Sequence, residues 1–308
     1  MVLDRPLRIG TRGSPLALAQ ARETAARLVA AHPGLPAPEL VPIKTTGDRI
    51  QDRTLAEAGG KGLFTKELDE ALLDNRVDLA VHSMKDVPTR LCDGTELFAL
   101  LPREDPRDAW FARDKVSTLL TLPAGSVVGT ASLRRQALVL HARPDLRVVP
   151  LRGNVQTRLA KLDAGDVDAT LLAVAGLNRL GHAELIQHAL DPTELLPAVA
   201  QGAVGCVARA GDETVAALLA ALDCAATRQR VEAERALLTV LDGSCRTPIA
   251  ALAMLVDGRL ILDGLVASPD GARVFQTRKE GPAAHAAAIG EEAGFALKAQ
   301  MPADLFLA

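Results

Sequence analysis

The 308-residue chain has no tyrosine, one tryptophan and six phenylalanines, so the aromatic platforms on which proteins stack unpaired bases are scarce. Its formal net charge of −3 and pI near 6.1 exclude the broad basic surface that neutralises nucleic-acid phosphates. There are only four cysteines, Cys92, Cys206, Cys224 and Cys245, and no Cys-x-x-Cys pair. Neither a disulfide framework nor a zinc site is indicated. No apolar run reaches the roughly eighteen residues of a membrane helix. Met1-Val2-Leu3-Asp4-Arg5-Pro6 lacks the charged and apolar regions of a secretion signal, so a cytoplasmic location is expected. Lysine is sparse, with eight residues against twenty-seven arginines, which leaves arginine as the main source of local positive charge.

Apolar residues make up 48% and charged residues 24%, the balance of a globular protein, and the length suits two or three domains. Leu7 to Gly10 reads as a strand. Ser14 caps a helix that has Pro15 at its first position and stops at Pro33-Gly34. A helix from Leu63 to Leu73 leads into Val77 to His82, a buried parallel strand whose end delivers Ser83-Met84-Lys85-Asp86 into a loop. Ser126 to Gly129, Ser132 and a helix from Leu133 to Ala142 echo the opening. Val167-Asp168-Ala169-Thr170 likewise echoes Val77-Asp78-Leu79-Ala80, as two related α/β domains would. Ala198 to Val207 crosses between domains, and a helix from Asp212 to Leu222 rejoins the first. From Cys224 a long helix runs to Leu241. Ile249 to Val256 and Leu260 to Ala267 then form a hairpin about Asp257-Gly258-Arg259, followed by a strand at Arg273 to Thr277 and an Ala-rich helix. The expected domains are 1–102 with 201–222, 103–200, and 223–308.

Several loop-to-helix junctions carry a hydroxyl cap or arginines: Arg12 with Ser14, Ser132 with Arg134 and Arg135, Arg152 with Arg158, and Asn178-Arg179. Helix N-termini favour anions, and the guanidinium fork matches a carboxylate, so a polyanion site is indicated. Gly59-Gly60-Lys61-Gly62 lacks the spacing of a nucleotide P-loop and reads either as a glycine-rich loop covering a ligand or as a structural turn. Asp86 follows a strand end, where α/β proteins place catalytic groups, and it suits proton handling or cation stabilisation; an exposed loop ion pair is the plainer reading. His82 reads as packed. Cys92, Cys206 and Cys224 read as inert buried thiols. Cys245, in a tight loop beside Arg246, has the setting of a nucleophile.

Gly59-Gly60-Lys61-Gly62-Leu63-Phe64, Val81-His82-Ser83-Met84-Lys85-Asp86-Val87-Pro88, Arg103-Glu104-Asp105-Pro106-Arg107-Asp108 and Gly129-Thr130-Ala131-Ser132-Leu133-Arg134-Arg135 stand in order along the chain. Leu151-Arg152-Gly153-Asn154, Ala173-Val174-Ala175-Gly176-Leu177 and Gln201-Gly202-Ala203-Val204-Gly205 complete the series. This ordered set resembles the porphobilinogen deaminase (hydroxymethylbilane synthase) family over nearly the whole chain. The resemblance implies an α/β fold: two type II periplasmic-binding-protein-like domains plus a small α+β C-terminal domain with a three-stranded antiparallel sheet. It also implies a monomeric cytoplasmic transferase of heme biosynthesis, binding neither metal, nucleic acid nor membrane. Such an enzyme joins four porphobilinogen molecules with loss of ammonia, on a dipyrromethane cofactor held by a thioether to Cys245, and releases hydroxymethylbilane by hydrolysis.

Carried over by motif, Asp86 is the catalytic carboxylate. Cys245, Lys85, Asp86, Ser132, Arg134, Arg135 and Arg158 hold the cofactor, while Arg12, Ser14, Lys61, Phe64, Arg152, Arg179 and Gln201 meet the substrate. The chain departs from the family pattern at Gly13, Glu57 and Arg246-Thr247. A non-catalytic two-domain anion receptor or sensor is the alternative from the first two domains alone. A cysteine-dependent hydrolase or transferase is a further one, though no histidine is placed near Cys245 in sequence.

Overall fold

A computed structural model describes residues 5–49, 62–242, 247–302 and 304–306. In chain order β1 (Arg8–Arg12), α1 (Pro15–Ala31), β2 (Glu39–Ile43), a short α2 (Thr46–Arg49) and α3 (Lys66–Leu73) precede β3 (Leu79–Ser83). A single helical turn at Met84–Asp86, β4 (Thr95–Leu100) and β5 (Asp108–Ala112) follow. Next come β6 (Val127–Gly129), α4 (Leu133–Ala142), β7 (Arg147–Val149), α5 (Val155–Asp163), β8 (Ala169–Ala173), α6 (Val174–Arg179) and β9 (His188–Ala189). β10 (Val204–Arg209), α7 (Glu213–Ala220) and α8 (Ala225–Val240) lead to β11 (Ile249–Val256), β12 (Arg259–Ala267), β13 (Val274–Pro282) and α9 (Ala286–Gln300).

The described residues of Met1–Gln51, Gly60–Glu104 and Gly202–Arg228 form one compact unit, and those of Asp105–Gln201 and Gln229–Ala308 another. The first unit has a five-stranded sheet ordered β2-β1-β3-β10-β4, with β1 parallel to β2 and β3, and β10 antiparallel to β3 and β4. The second repeats the plan as β7-β6-β8-β5-β9, with β6 parallel to β7 and β8, and β5 antiparallel to β8 and β9. This is the type II periplasmic-binding-protein-like arrangement that the resemblance implies. The antiparallel sheet β11-β12-β13 completes the fold class. In the first unit Ile9, Leu79, Val81 and Cys206 are buried with Ala21 and Leu28 of α1 and Val215 and Leu219 of α7. Leu68, Leu72, Val77 and Val207 form a second cluster. In the second unit Trp110, Val128, Ala137 and Leu171 share a core with Ala250, Leu265 and Ala267, which ties the third sheet to the second.

The Val-Asp echo has a physical basis. Asp78 accepts a hydrogen bond from Arg8 N at 2.8 Å, and its own N donates to Arg8 O at 2.9 Å. Asp168 does the same with Val127, at 2.9 and 2.8 Å. In each sheet one carboxylate thus locks the start of a parallel strand to its neighbour. Asp78 is further held by Arg5 at 2.7 and 2.8 Å and by Arg8 at 3.0 Å. Burial opposes its ionisation, but these guanidiniums hold it far below the usual carboxylate range.

Local signals govern most element boundaries. Ser14 Oγ accepts Ala17 N, and Ser132 Oγ accepts Arg135 N, each satisfying a first-turn donor. Asp257 and Gly258 adopt φ values of 48° and 75°, the left-handed pair of a tight hairpin. β13 continues to Pro282, beyond the expected Thr277, because it pairs with β12 along its full length. Cys206 is buried and its thiol is pushed up to about 12 by burial. Cys92 is exposed and Cys224 only partly buried, which corrects the expectation for both. Cys92 sits in the loop before β4, outside any core layer.

Asp78→Ala removes a buried carboxylate that accepts from Arg8 N and from the partly exposed guanidiniums of Arg5 and Arg8, and is expected to cost about 1–3 kcal/mol of stability. Urea unfolding of the variant at neutral pH checks it; an unchanged midpoint and slope would remove the carboxylate lock from the account.

Candidate active site

The parallel strands of each sheet end on the loops that carry the expected site residues, as α/β sheets usually arrange their binding groups. In the first unit Arg12 closes β1, and Lys85 and Asp86 form the turn directly after β3. Arg12 donates from Nε and Nη2 to Asp48 at 3.3 and 2.5 Å, and its Nη1 lies 3.7 Å from Asp86 Oδ2. The Phe64 ring covers the guanidinium, with its centroid 4.1 Å from Arg12 Cζ, a geometry that favours a cation. Burial opposes ionisation of Asp48, yet Arg12 and Thr45 hold its carboxyl below the usual range. Lys85 is exposed, and Asp86 and Ser14 are half-buried.

His82 lies one strand register behind this turn and is buried. Burial, reinforced by the Arg12 charge, lowers its imidazole to about 4, so it is neutral at physiological pH and packed, as the sequence suggests. It lines a small cavity with Thr65, Asp69, Val87, Pro88 and Cys92. Asp69 is raised to about 6, mainly by burial, with Glu70 adding repulsion and Thr65 opposing the shift through a hydrogen bond.

In the second unit Ser132 caps α4, which turns Arg134 and Arg135 inward onto Asp108. Arg134 donates to Asp108 Oδ2 at 2.6 Å and to Leu196 O at 2.8 Å. Arg135 donates to Asp108 Oδ1 at 2.6 and 3.2 Å and to Leu171 O at 2.8 Å. Asp108 is fully buried, and although burial opposes its charge, the two guanidiniums and Gln201 hold it far below the ordinary carboxylate range. Gln201, itself buried, donates its amide to Asp108 at 2.9 Å and to Pro106 O at 2.7 Å. Arg158 donates to Gly153 O at 2.9 Å. Burial first, then the charges of Arg135 and Arg152, lower its guanidinium to about 10. Arg152 and Arg179 are half-buried, on the loop before α5 and in the last turn of α6.

The structure therefore brings Arg135 and Arg152 each within electrostatic reach of Arg158, and Arg12 and Asp86 together. Lys61 and Cys245 lie outside the described residues, as do Glu57 and Arg246. Two residues escape a sequence reading. Asp108 closes the Arg-Glu-Asp-Pro-Arg-Asp run, but nothing in the run says that it faces Arg134 and Arg135. Asp48 sits in a Thr-Thr-Gly-Asp turn whose only local signal is the glycine.

Chemically, two guanidiniums on one buried carboxylate, with a third whose proton is loosened by its cationic neighbours, form a site that gains from added negative charge. That donor set fits a ligand rich in carboxylates. Arg134 Nε, buried without a hydrogen-bond partner, marks the same site as under-supplied with acceptors. Among the described residues no group of His, Cys, Asp and Glu could hold a metal ion, and no helix is long and apolar enough to cross a membrane.

Fold and site together define an α/β protein with a buried arginine pair on one aspartate and a second aspartate at a strand end. Comparison with known proteins assigns the family. Residues 7–217 match the model described as "Porphobilinogen deaminase, dipyromethane cofactor binding domain", and residues 228–299 match "Porphobilinogen deaminase, C-terminal domain". The chain belongs to the porphobilinogen deaminase family. It is 56% identical over 306 residues to the chloroplastic porphobilinogen deaminase of Oryza sativa subsp. japonica, covering 97% of this chain and 85% of that one. It is 54% identical over 305 residues to the porphobilinogen deaminase of Paracoccus denitrificans, covering 98% and 97%. The enzyme of Nitrobacter hamburgensis is 54% identical over 293 residues, covering 94% and 92%. A non-catalytic receptor is not favoured, since both the cofactor-binding and the C-terminal family models match.

The Asp69 carboxyl supplies a pH test of the cavity behind the active turn. This group, raised to about 6 from the ordinary aspartate value of 3.8, costs stability on ionisation that accumulates between those values and is complete above pH 6. Asp69→Asn, which keeps an acceptor for Thr65, is expected to raise the melting temperature at pH 8 and to leave it nearly unchanged below pH 4. An equal shift at both values would contradict the burial of this carboxyl.

Proposed function

We propose that the chain is a hydroxymethylbilane synthase that joins four porphobilinogen molecules head to tail and releases the linear product by hydrolysis. The observation that carries this reading is the arginine cluster about Asp108 in a chain of the porphobilinogen deaminase family. Each added pyrrole brings an acetate and a propionate, and a growing chain of them needs several fixed cations. Arg135, Arg152 and Arg158 supply a surplus of positive charge, and the buried Asp108 fixes the guanidinium of Arg135 so that little ordering is left to be done on binding. Monomeric action in the cytoplasm, and the division into domains 1–102 with 201–222, 103–200 and 223–308, belong to the same proposal.

Ser132, Arg134, Arg135, Arg158, Lys85 and Asp86 are the residues we assign to holding the dipyrromethane, with Cys245 as its thioether attachment. Bound there, that group supplies a pyrrole with a free α-carbon as the first nucleophile. Arg12, Ser14, Lys61, Phe64, Arg152, Arg179 and Gln201 are assigned to the substrate. Arg12 contributes directly and Gln201 by bracing Asp108.

Each cycle breaks the C–N bond of the protonated aminomethyl group of porphobilinogen, forms one C–C bond, and releases ammonia and the proton of the attacked α-carbon. Loss of ammonia leaves an azafulvenium cation on the substrate, its positive charge shared with the pyrrole N–H. Asp86 is assigned to balance that charge and accept the pyrrole N–H. A carboxylate beside Arg12 meets the charge already oriented, the condition under which electrostatic stabilisation is strongest. His82, neutral behind the turn, adds no competing cation.

Asp86→Asn keeps shape and removes charge. It is expected to reduce porphobilinogen turnover to below about a hundredth of wild type, the lower bound of a general acid–base contribution, with an unchanged unfolding midpoint. Retention of a larger rate would take Asp86 out of the chemistry.

A further inference from the structure

Thr45-Thr46-Gly47-Asp48 belongs to none of the motifs that carry the family resemblance, yet the turn is built around Arg12. Thr46 donates from N and Oγ1 to Glu67 Oε1 at 2.8 and 2.5 Å, and Gly47 N donates to Leu63 O at 2.8 Å. The turn is thereby fastened to the segment that carries Phe64. Gly47 has no side chain where a Cβ would stand 2.2 Å from the Phe64 ring, and this close approach lets the ring lie over Arg12. Thr45 Oγ1 donates to Asp48 Oδ2 at 2.8 Å, which fixes the carboxylate that takes the Nε and Nη2 edge of Arg12. Three sides of the guanidinium are thus accounted for: one face on Phe64, one edge on Asp48, and Nη1 directed toward Asp86.

We propose that Asp48 is a positioning residue: by occupying the Nε/Nη2 edge of Arg12 it sets the Nη1 corner beside Asp86 as the place where a carboxylate of the incoming substrate is received. The assignment of that carboxylate to porphobilinogen rests on the function proposed above; the clamp itself rests on the contacts just described. An ordinary surface ion pair would contribute little and would not select an edge. Here both side chains are about three-quarters buried, the pair is two-pronged, and the carboxylate is braced by a second donor. Without Asp48 the guanidinium is free to turn its paired edge onto Asp86, which would tie up both the substrate's cation and the catalytic carboxylate.

Two measurements test the clamp. The Arg12 Nε–H resonance, assigned by its disappearance in Arg12→Lys, is expected to be protected from solvent exchange in the wild type. It should exchange at least ~10-fold faster in Asp48→Asn, the loss expected for a charge-assisted hydrogen bond, and recover in part in Asp48→Glu. In steady-state assays with porphobilinogen, Asp48→Asn is expected to raise KM by roughly 10-fold with a smaller fall in kcat. Adding Asp48→Asn to Arg12→Lys should cost little more than Arg12→Lys alone, because the two residues act as one unit. Unchanged Arg12 exchange, additive penalties, or a fall in thermal stability with KM unmoved would each overturn the proposal. The resonance decides the clamp without substrate. If Arg12 is protected through Asp48 in a wild type that does not consume porphobilinogen, the clamp stands and the proposed function fails.

Discussion

Burial of the Asp108 carboxylate is the constraint on which the arginine cluster of the second unit depends. A fully buried carboxylate is tolerable only when paired and hydrogen-bonded, and Asp108 meets that demand by drawing Arg134, Arg135 and Gln201 onto itself. Those contacts turn the first turn of α4 inward and bind it to the start of β5 and to the residue just before Gly202. They also leave the local sum positive, because two guanidiniums share one carboxylate. Arg158 records the surplus, its proton loosened by burial and by Arg135 and Arg152.

The strand-end group of the first unit is arranged differently. Arg12 stands there between Asp48 and Asp86, one guanidinium facing two carboxylates, with Lys85 exposed in the same turn and the neighbouring His82 neutral. The two related sheets thus carry different side-chain groups on equivalent loops: an arginine cluster on one buried carboxylate in one, and an arginine between two carboxylates in the other. Porphobilinogen, with two carboxylates and an aminomethyl group lost as ammonia, needs both. The shared scaffold is visible in the matching roles of Asp78 and Asp168 and of Ser14 and Ser132, so the difference in function lies in the side chains placed at the loops.

Much of this was legible without a structure wherever the signal was local. Ser14-Pro15 and Ser132 fix helix starts by capping, Asp257-Gly258 fixes a hairpin by its left-handed backbone, and the repeated Val-Asp marks the carboxylate that locks each parallel strand. The unbroken apolar run through His82 correctly implies a packed imidazole. What escaped depends on partners distant in sequence. β5 and β9 become strands by pairing with β8 and with each other, and β4 by pairing with β10. The inward turn of Arg134 and Arg135 depends on Asp108, about twenty-six residues away, and an arginine-rich helix start reads equally well as solvated. Cys92 is exposed because its loop lies outside the core layers, which no neighbour in sequence announces. Asp48 becomes informative only once Arg12 is seen to lie against it.

The central claim, that this arginine-lined fold carries a covalent dipyrromethane, is tested most directly by the denatured intact mass of the purified chain and of a Cys245→Ser variant. The account predicts an adduct of two porphobilinogen units less two ammonias on the wild type and none on the variant. A wild type that carries no adduct and acquires none on incubation with porphobilinogen would contradict it.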